Sequence, residues 1–591
     1  MNAVKQISFA VAACAAFLAG VPSASFAAPS EPYVCYRPAD GQASYPWDNA
    51  VWWYDGVSGS RINRIPTSED HVFLYSSKNS IAKPMVVTSG VDAVTGILDI
   101  VDEGNNGNVV VGVSVQSEGT LTNYGVAYIG NSGSAKTGGG YLTVESGGSW
   151  TAKANFLLGM SKGVSWLNTA PGGIFTCERE FTAGGSFGMG IVTNKGTATM
   201  LDLFVGGSGS GVFVNEGSLN VSQKFTIARN ANSSGRFVHA KGATLSKTRT
   251  KPLLIANGSG STGVFESNGD IAFDYRDSVQ IAVGANSEGH LVVGEGAVVS
   301  NMASVLIGST NVVSQGTLEL HGGTFGVRGS SGDGYTMFLG KDGEGSNGRI
   351  SGWGTVSKVT GILRMTLYGQ VVADGEGVER DLNLADVKTI GLGVDDALNT
   401  CGINGWYAAN KGRLVYPRAQ NCTANEASYP TVGDYPKRLV PTAMNSFRYY
   451  LATPRPNATY YNFAELYAPD RTDIPAGLPG GAGVVVAGVW RLGLSSTSSS
   501  TAEPTPISFV GMTVAFRYDW RDIPETHRVA VYHHDGSPSG SWRRVSGKQS
   551  PLAEDNLITT TTPINASSQT WNAGWFAVVA EERGGLILTF R

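Results

Sequence analysis

The chain has 591 residues, a formal net charge of −4 at pH 7 and only 15% charged residues. Glycine, with 79 residues, is about twice as frequent as in an average protein. The 41% of hydrophobic residues argues against a disordered chain, and the near balance of acidic and basic residues offers no cationic surface for nucleic acid. The sequence therefore predicts a folded, β-rich protein with many tight turns and more than one structural unit.

Residues 1–27 have the pattern of an export signal. Lys5 supplies the positive start, residues 7–21 form the apolar core, and residues 25–27 fit a small-residue cleavage site. The apolar core is too short for a membrane-spanning helix, and we expect no transmembrane helix in the mature chain. An alternative interpretation is a lipoprotein signal at residues 11–14, with Cys14 as the lipidated residue.

Cleavage after residue 27 would leave four cysteines, Cys35, Cys177, Cys401 and Cys422. Four thiols allow three pairings, and export permits disulfides. We favour a Cys401–Cys422 disulfide, because these two residues lie close together in the chain. None of the four has the spacing of a metal site, so no metal or cofactor is predicted.

Residues 28–85 are rich in aromatic side chains, among them Trp47, Trp52, Trp53 and Tyr54. Such a cluster could cover the first coil of a repeat structure, whose open end would otherwise expose apolar side chains and unpaired strand backbone. Clustered tryptophans can also stack on sugars. We predict an N-terminal cap and keep sugar binding as the alternative.

Residues 86–360 contain about ten imperfect repeats between Val113 and Val356, separated by 21 to 31 residues. This period, combined with strand-forming residues, is typical of a solenoid. Aligned on a turn glycine, the repeats have these anchors: Gly119, Gly148, Gly173, Gly196, Gly217, Gly242, Gly269, Gly296, Gly323 and Gly354. We expect these glycines to supply backbone angles at the bends that other residues resist.

The position two residues after each anchor is apolar in nine of ten repeats: Leu121, Trp150, Phe175, Ala198, Leu219, Thr244, Ile271, Val298, Phe325 and Val356. Residues before the anchors alternate between apolar and polar, which is the period of a strand. A helix is disfavoured, since each interior glycine costs about 1 kcal/mol relative to alanine. The pattern predicts a single-stranded parallel β-helix of about ten coils, about 45 Å long and right-handed.

The remaining chain divides into three predicted regions. Residues 361–494 are interpreted as a C-terminal cap and irregular intermediate region, with a short helical turn at 381–385. Residues 495–505 are a Ser/Thr-rich linker. Residues 506–591 are predicted to form a small antiparallel β-sandwich-like domain, with strands at 509–518, 528–533, 541–545, 557–561, 575–580 and 586–590.

No residue is predicted to be catalytic, cofactor-binding or metal-binding. The densest charged group in the repeats is Asp270, Asp274, Arg276 and Asp277. Asp274 and Arg276 are predicted to share a strand face, where they could line a catalytic groove or simply solubilise the surface. The pair Asp395–Asp396 resembles an acidic pair of polygalacturonase type.

The histidines give no metal-binding pattern. His239, His290 and His321 lie at different distances from their anchors, so we interpret them as isolated surface residues. His533 and His534 are neighbours on a strand and should point to opposite faces. Asp342 and Glu344 lie in a glycine-rich loop that lacks the repeated nonapeptide of calcium-binding repeats.

The Trp-rich opening at 47–54, the segment 64–72 and the glycine-punctuated repeats resemble bacterial autotransporter-type passenger domains. The resemblance covers residues 47–360, and residues 361–591 lack the length and alternation of a translocator barrel. It implies an exported protein at the outer cell surface or in the extracellular space, with the periplasm as an alternative, and often a role in adhesion or in a matrix.

Three hypotheses about function follow. The first is a non-enzymatic surface or extracellular protein that contacts polysaccharide or a host or matrix surface. The second is a polysaccharide-degrading β-helix enzyme, a lyase or glycoside hydrolase, with its site near Asp270–Asp277. Three or more acidic residues in one groove would favour the second. The third is a purely structural component of the envelope.

Overall fold

The computed structural model describes the chain from residue 34 to residue 582 with gaps. The described residues are 34–36, 44–76, 84–102, 110–130, 139–248, 251–309, 313–329, 336–340, 346–361, 363–367, 369–389, 406–416, 419–421, 445–451, 460–495, 509, 511–551, 557–565 and 573–582. The export signal, Cys401, Cys422, Asp342, Glu344, Asp395, Asp396 and the strand predicted at 586–590 lie outside these ranges.

The described chain is all-β, apart from one short 3₁₀ helix at Ala50–Trp52. The solenoid strands, in chain order, are β1 (Val34–Tyr36), β2 (Tyr45–Pro46), β3 (Trp53–Asp55), β4 (Val72–Ser76), β5 (Met85–Val87), β6 (Asp92–Thr95), β7 (Leu98–Asp102), β8 (Val110–Val115), β9 (Thr120–Asn123), β10 (Ala127–Ile129), β11 (Gly139–Val144), β12 (Ser149–Ala152), β13 (Phe156–Leu158), β14 (Val164–Thr169), β15 (Ile174–Ala183), β16 (Met189–Asn194), β17 (Thr197–Val205), β18 (Ser210–Asn215), β19 (Ser218–Val221), β20 (Phe225–Ile227), β21 (Ser234–His239), β22 (Thr244–Lys247), β23 (Leu253–Ile255), β24 (Thr262–Ser267), β25 (Ile271–Ala272), β26 (Ser278–Ile281), β27 (Glu288–Val293), β28 (Val298–Met302), β29 (Ser304–Ile307), β30 (Ser314–Val327), β31 (Met337–Leu339), β32 (Ser346–Lys358), β33 (Leu363–Leu367), β34 (Gln370–Asp374), β35 (Asp381–Asn383), β36 (Val387–Thr389), β37 (Trp406–Asn410) and β38 (Arg413–Val415).

Apart from β1 and β3, which pair antiparallel, these strands form three faces of parallel strands, so the predicted parallel β-solenoid of about ten turns is confirmed. Face 1 contains β8, β11, β14, β16, β18, β21, β24, β27, the first parts of β30 and β32, and β34 and β37. Face 2 contains β9, β12, the first parts of β15 and β17, β19, β22, β25, β28, the second parts of β30 and β32, β35 and β38. Face 3 contains β7, β10, β13, the second parts of β15 and β17, β20, β23, β26, β29, β31, β33 and β36.

The predicted core positions stack as expected in eight of the ten repeats. Trp150, for example, pairs with Leu121 on one side and with Phe175 on the other, and all three are fully buried. The prediction is wrong for Thr244 and Val298, which point outward. Their following residues, Leu245 and Val299, occupy the core instead.

The predicted backbone angle is found at some anchor glycines, such as Gly242 and Gly296, and not at others, such as Gly148. At Gly148 the backbone is not left-handed, and the left-handed residue is the preceding Gly147, with a φ of 77°. A Cβ atom on Gly148 would lie 2.5 Å from the carbonyl oxygen of Val115 in the preceding coil. In the two repeats whose core position is shifted by one residue, the anchors Gly242 and Gly296 have left-handed backbone. This difference in backbone conformation explains the shift. Close stacking, rather than bending, therefore requires Gly148.

The aromatic residues at the N-terminal end are mostly enclosed. Trp47 and Trp53 are fully buried, their rings lie 5.0 Å apart, and the indole N–H of Trp53 donates to the carbonyl oxygen of Trp47. Buried indoles cannot stack on a sugar, so these two residues support the interpretation as a cap.

Coil pairing continues beyond residue 360. The helical turn predicted at 381–385 is wrong, because residues 381–383 form β35, which pairs in parallel with β32 and β38. The later strands are antiparallel: β39 (Ala419–Asn421), β40 (Ser446–Leu451), β41 (Tyr460–Tyr467), β42 (Val484–Ser495), β43 (Met512–Arg517), β44 (His527–His534), β45 (Arg543–Arg544), β46 (Leu557–Thr559) and β47 (Gly574–Glu582).

The C-terminal antiparallel region is confirmed, and it packs as two sheets. One sheet joins β41, β42, β47, β44 and β45, and the other joins β40, β43 and β46. Between them Phe516 contacts Trp490 and Phe576, at ring distances of 4.9 Å and 5.4 Å. Because β41 also pairs with β38 of the last coil, this region covers the end of the solenoid directly. Strands at 446–495, predicted as irregular, are part of it.

One buried histidine of this region should make the fold sensitive to acid. His533 Nε2 donates to the carbonyl oxygen of Ala573, whereas its Nδ1 is buried without a partner among the described residues. Burial lowers the pKa of His533 to about 4. A lowered folded-state pKa gives stability that is present above pH 6.5 and lost as the pH falls towards 4. We expect this loss to be about 3 kcal/mol.

Urea unfolding between pH 7 and pH 4 tests this expectation. His533→Gln should reduce the acid-dependent part of the loss, whereas His527→Gln, on the same strand, should retain it. Equal pH dependence in the wild type and His533→Gln would contradict the assignment.

Candidate functional site

Outward-facing side chains of face 1 form a polar groove across the later coils. His290 on β27, Thr317 on β30, Arg349 on β32 and Gln370 on β34 are successive partners in the strand register. Adjacent parallel strands lie about 4.8 Å apart, so these four side chains form one file along the solenoid. The groove has a volume of ≈ 530 Å³ and is also lined by Gln315, Glu319, His321, Gly348, Ser351, Gly352, Asp374 and Glu376.

Two histidines and three glutamates form a continuous chain along this groove. His290 contacts Glu319 through Nδ1 at 2.8 Å and Glu288 through Nε2 at 3.1 Å. His321 contacts the other oxygen of Glu319 at 3.5 Å and Glu376 at 2.5 Å. Glu376 also pairs with Arg380 at 3.4 Å. We call Glu288, His290, Glu319, His321, Glu376 and Arg380 the imidazole–carboxylate chain.

The carboxylates in this chain favour protonated imidazoles. Each ring nitrogen of His290 and His321 faces a carboxylate acceptor, so each ring is best satisfied when both nitrogens donate. Hydrogen bonding to Glu319 raises the pKa of both histidines. In return, the hydrogen bond from His290, followed by that from His321, lowers the pKa of Glu319 to about 2. Glu319 is therefore held as a carboxylate between two imidazoles, whose protonated forms it favours.

The Arg380 end of the imidazole–carboxylate chain depends on local packing around Trp353. A Cβ atom on Gly322 would lie 2.2 Å from the Trp353 indole, and Gly322 has a φ of 86°, so glycine is required there. The guanidinium of Arg380 lies 3.9 Å from the Trp353 ring centre, within cation–π range. This stacking holds Arg380 next to Glu376, which lies in the turn after β34.

Several polar side chains of the groove are uncommitted, which means that they have no hydrogen-bond or ion-pair partner in the described part of the structure. Within the described part of the chain, the side chains of Gln315, Thr317, Arg349, Ser351 and Gln370 form no hydrogen bond or ion pair. The Nε atom of Arg349 is buried without an acceptor there. Asp374 differs, since it accepts from the Glu376 backbone N–H and from Asn410. The groove thus offers one cation, two amides and two hydroxyls to a ligand.

The charged group at residues 270–277 is not arranged as predicted from the sequence. Asp274 and Arg276 lie in the turn between β25 and β26, not on a shared strand face as predicted. Asp270 accepts a hydrogen bond from the backbone N–H of Val298 in the next coil. Asp277 is fully buried and forms an ion pair with Lys247 at 2.6 Å. Asp270 and Asp277 are thus engaged in contacts within the fold, whereas the contact between Arg276 and Asp274 is exposed.

The interpretation of the histidines as isolated surface residues is wrong. His290 and His321 are linked through Glu319, while His239 is buried and contacts Asn215 at 3.2 Å. His533 and His534 are both buried. No group of three potential metal-ligating side chains was found among the described residues.

The groove is not visible when the repeats are aligned on the turn glycines. Gly289, Gly316 and Gly348 are partners in the strand register. Alignment on them would have placed His290, Thr317 and Arg349 side by side. Even this alignment would not have predicted Glu376 as part of the groove, since Glu376 lies in a turn two coils after His321.

The fold and the groove define the class of this protein: a parallel β-solenoid with a polar groove on one face and an antiparallel two-sheet C-terminal region. Comparison of the chain with protein-family models, curated proteins and solved structures found no match. No helix in the described part of the chain has the length and apolar character needed to cross a bilayer.

Proposed function

We propose that the chain is an exported bacterial protein of the cell surface or extracellular space, related in kind to autotransporter-type passengers, that binds polysaccharide without cleaving it. The observation that carries this proposal is the file Thr317, Arg349 and Gln370, whose polar side chains are uncommitted on three successive coils. A regular file of hydroxyl, guanidinium and amide groups suits a ligand that presents hydroxyl groups at intervals along its length. The predicted export signal supports the location.

Binding of the full chain to a panel of immobilised polysaccharides tests the proposal. A Thr317→Ala/Gln370→Ala variant removes two uncommitted groups, each worth about 1 kcal/mol. We expect its affinity for the best ligand to fall about tenfold or more. The matched control is Thr143→Ala/Thr193→Ala, which removes two outward hydroxyls from face 1 away from the groove and should leave affinity unchanged. Absence of binding to any polysaccharide would contradict the proposal.

The exported location needs its own measurement. Native cells are fractionated, and intact cells are treated with a protease that cannot enter them. Detection of the chain in the medium, or its loss from intact cells on treatment, is the expected result. Recovery of the full chain only from the cytoplasmic fraction would contradict export.

A polysaccharide-degrading enzyme is the second candidate, and one observation favours it. Glu319, Asp374 and Glu376 line the same groove, which meets the expected signature of three acidic residues. Glycoside hydrolysis requires one carboxylic acid that is protonated as well as one carboxylate. Glu319 is held ionised by two imidazoles and so does not supply the protonated acid of such a pair. Release of reducing ends in the binding assay, abolished by Glu319→Gln, would establish the enzyme instead.

A further inference from the structure

The charges around the groove are paired, with one conspicuous exception. In the imidazole–carboxylate chain every carboxylate contacts an imidazole, and Glu376 also contacts Arg380. Asp374 is held by two N–H donors. Among the described residues, only Arg349 contributes to the lining a permanent cation without a carboxylate partner.

The surroundings of Arg349 indicate what its partner should be. A guanidinium presents five N–H donors in a planar fork that matches a carboxylate or sulfate group. The Arg349 side chain is only partly buried and forms no ion pair in the described part of the chain, so its guanidinium would gain a charge-assisted pair from such a ligand. Thr317 and Gln370 flank Arg349 in the register and can bond hydroxyl groups on either side of an acid group.

The acidic neighbours restrict the charge density of that ligand. Arg349 lies on the coil between those of Glu319 and Asp374, and the donors to Asp374 are a backbone N–H and an amide rather than cations. A continuous polyanion would therefore place further negative charge beside the Asp374 carboxylate. One acid group with neutral hydroxyl-bearing units around it avoids this repulsion. Nucleic acid, with one phosphate per nucleotide and a need for several cations, fits poorly.

We infer that the groove selects a polysaccharide whose acid groups are spaced apart, and that Arg349 binds one carboxylate or sulfate group of it. This inference rests on the proposed function and names the ligand class of the same groove. Because a charge-assisted hydrogen bond is stronger than a neutral one, the acid group should contribute more to affinity than any single hydroxyl.

The test measures binding of the full chain to partly methyl-esterified polygalacturonate and to its fully methyl-esterified form. The two polymers share a backbone and differ in free carboxylates. We expect the partly esterified form to bind about tenfold more tightly or better. A lightly sulfated dextran and unmodified dextran form a second matched pair, which distinguishes sulfate from carboxylate as the preferred group.

Arg349→Gln should remove the preference for the acidic member of each pair while leaving binding of the neutral member unchanged. Arg349→Lys retains the charge without the planar fork. Its preference for the acidic polymer should be weaker than that of the wild type and stronger than that of Arg349→Gln. The control is Arg236→Gln, which lies in the same outward file but is paired with Glu266 at 2.7 Å. It should retain the preference, and unchanged thermal unfolding of Arg349→Gln verifies its fold.

The outcomes separate the two proposals. If neutral polymers bind through Thr317 and Gln370 with no preference for acid groups, the proposed function stands and the inference about Arg349 is overturned. If Arg349→Gln retains the preference for the acidic polymer, the inference is likewise overturned. If no polymer of either pair or of the panel binds, the proposed function itself fails.

Discussion

Replacement of Lys247 by methionine is expected to lower the free energy of unfolding by about 3–5 kcal/mol, because it leaves a buried charge without its partner. The side chains of Lys247 and Asp277 are 1% and 0% exposed. Burial raises the pKa of Asp277 and lowers that of Lys247, and their mutual contact opposes both shifts. The pair connects β22 to the turn before β26 of the next coil. Urea unfolding followed by circular dichroism measures the loss.

A double variant provides the control. Lys247→Met/Asp277→Asn removes both charges, while the asparagine can still accept the backbone N–H that Asp277 accepts from Asp274. It should recover most of the stability, since a buried pair replaced by neutral groups often costs little. Arg276→Ala breaks an exposed contact in the same turn and should leave the unfolding midpoint unchanged. If Lys247→Met were as stable as the wild type, the buried pair would be refuted.

The substitution Gly211→Ala is expected to destabilise the solenoid by about 3 kcal/mol or more, because it forces backbone atoms of adjacent coils apart. A Cβ atom there would lie 2.2 Å from the backbone nitrogen of Gly206 and 2.5 Å from the carbonyl oxygen of Ala183. Gly211 is partnered by Gly190 and Gly235 in the register. It thus belongs to a file of glycines at the start of face 1, where the coil passes very close to its neighbour.

Gly242→Ala is the matched comparison. Gly242 has a φ of 83°, but a Cβ atom would meet nothing within 4 Å. Its substitution should cost only the penalty of a left-handed backbone, about 1–2 kcal/mol. Thermal unfolding of both variants therefore separates glycines needed for close approach from glycines needed for backbone angle. A larger loss in Gly242→Ala than in Gly211→Ala would reverse our assignment of these two roles.

The architecture was predictable because its signals are local. A period of 21 to 31 residues and the two-residue alternation around each anchor are both visible in the chain. Together they predict strands that stack in parallel with one side buried. The two misplaced core residues, Thr244 and Val298, show the limit of this reasoning. A glycine in a repeat can be present for its backbone angle or for its lack of a side chain, and a one-residue difference reverses which neighbour faces the core.

The charged residues were predicted less well, because their roles depend on partners far away in the chain. Asp277 was grouped with Asp270, Asp274 and Arg276 from its place in the chain, but its environment is set by Lys247, 30 residues earlier. The groove poses the same difficulty. His290 meets Glu319 from the next coil, and His321 meets Glu376 from a turn two coils later.

The sequence by itself determined the solenoid, since a repeating pattern of glycine and alternating apolar residues has few other ways to bury its core. Only the tertiary structure decided which polar residues act together. Coils differ in length, so the partner of an outward side chain depends on the register between coils rather than on distance along the chain. That register places Arg349, which has no ion-pair partner among the described residues, in the same groove as the imidazole–carboxylate chain, and it is the physical basis of the candidate site.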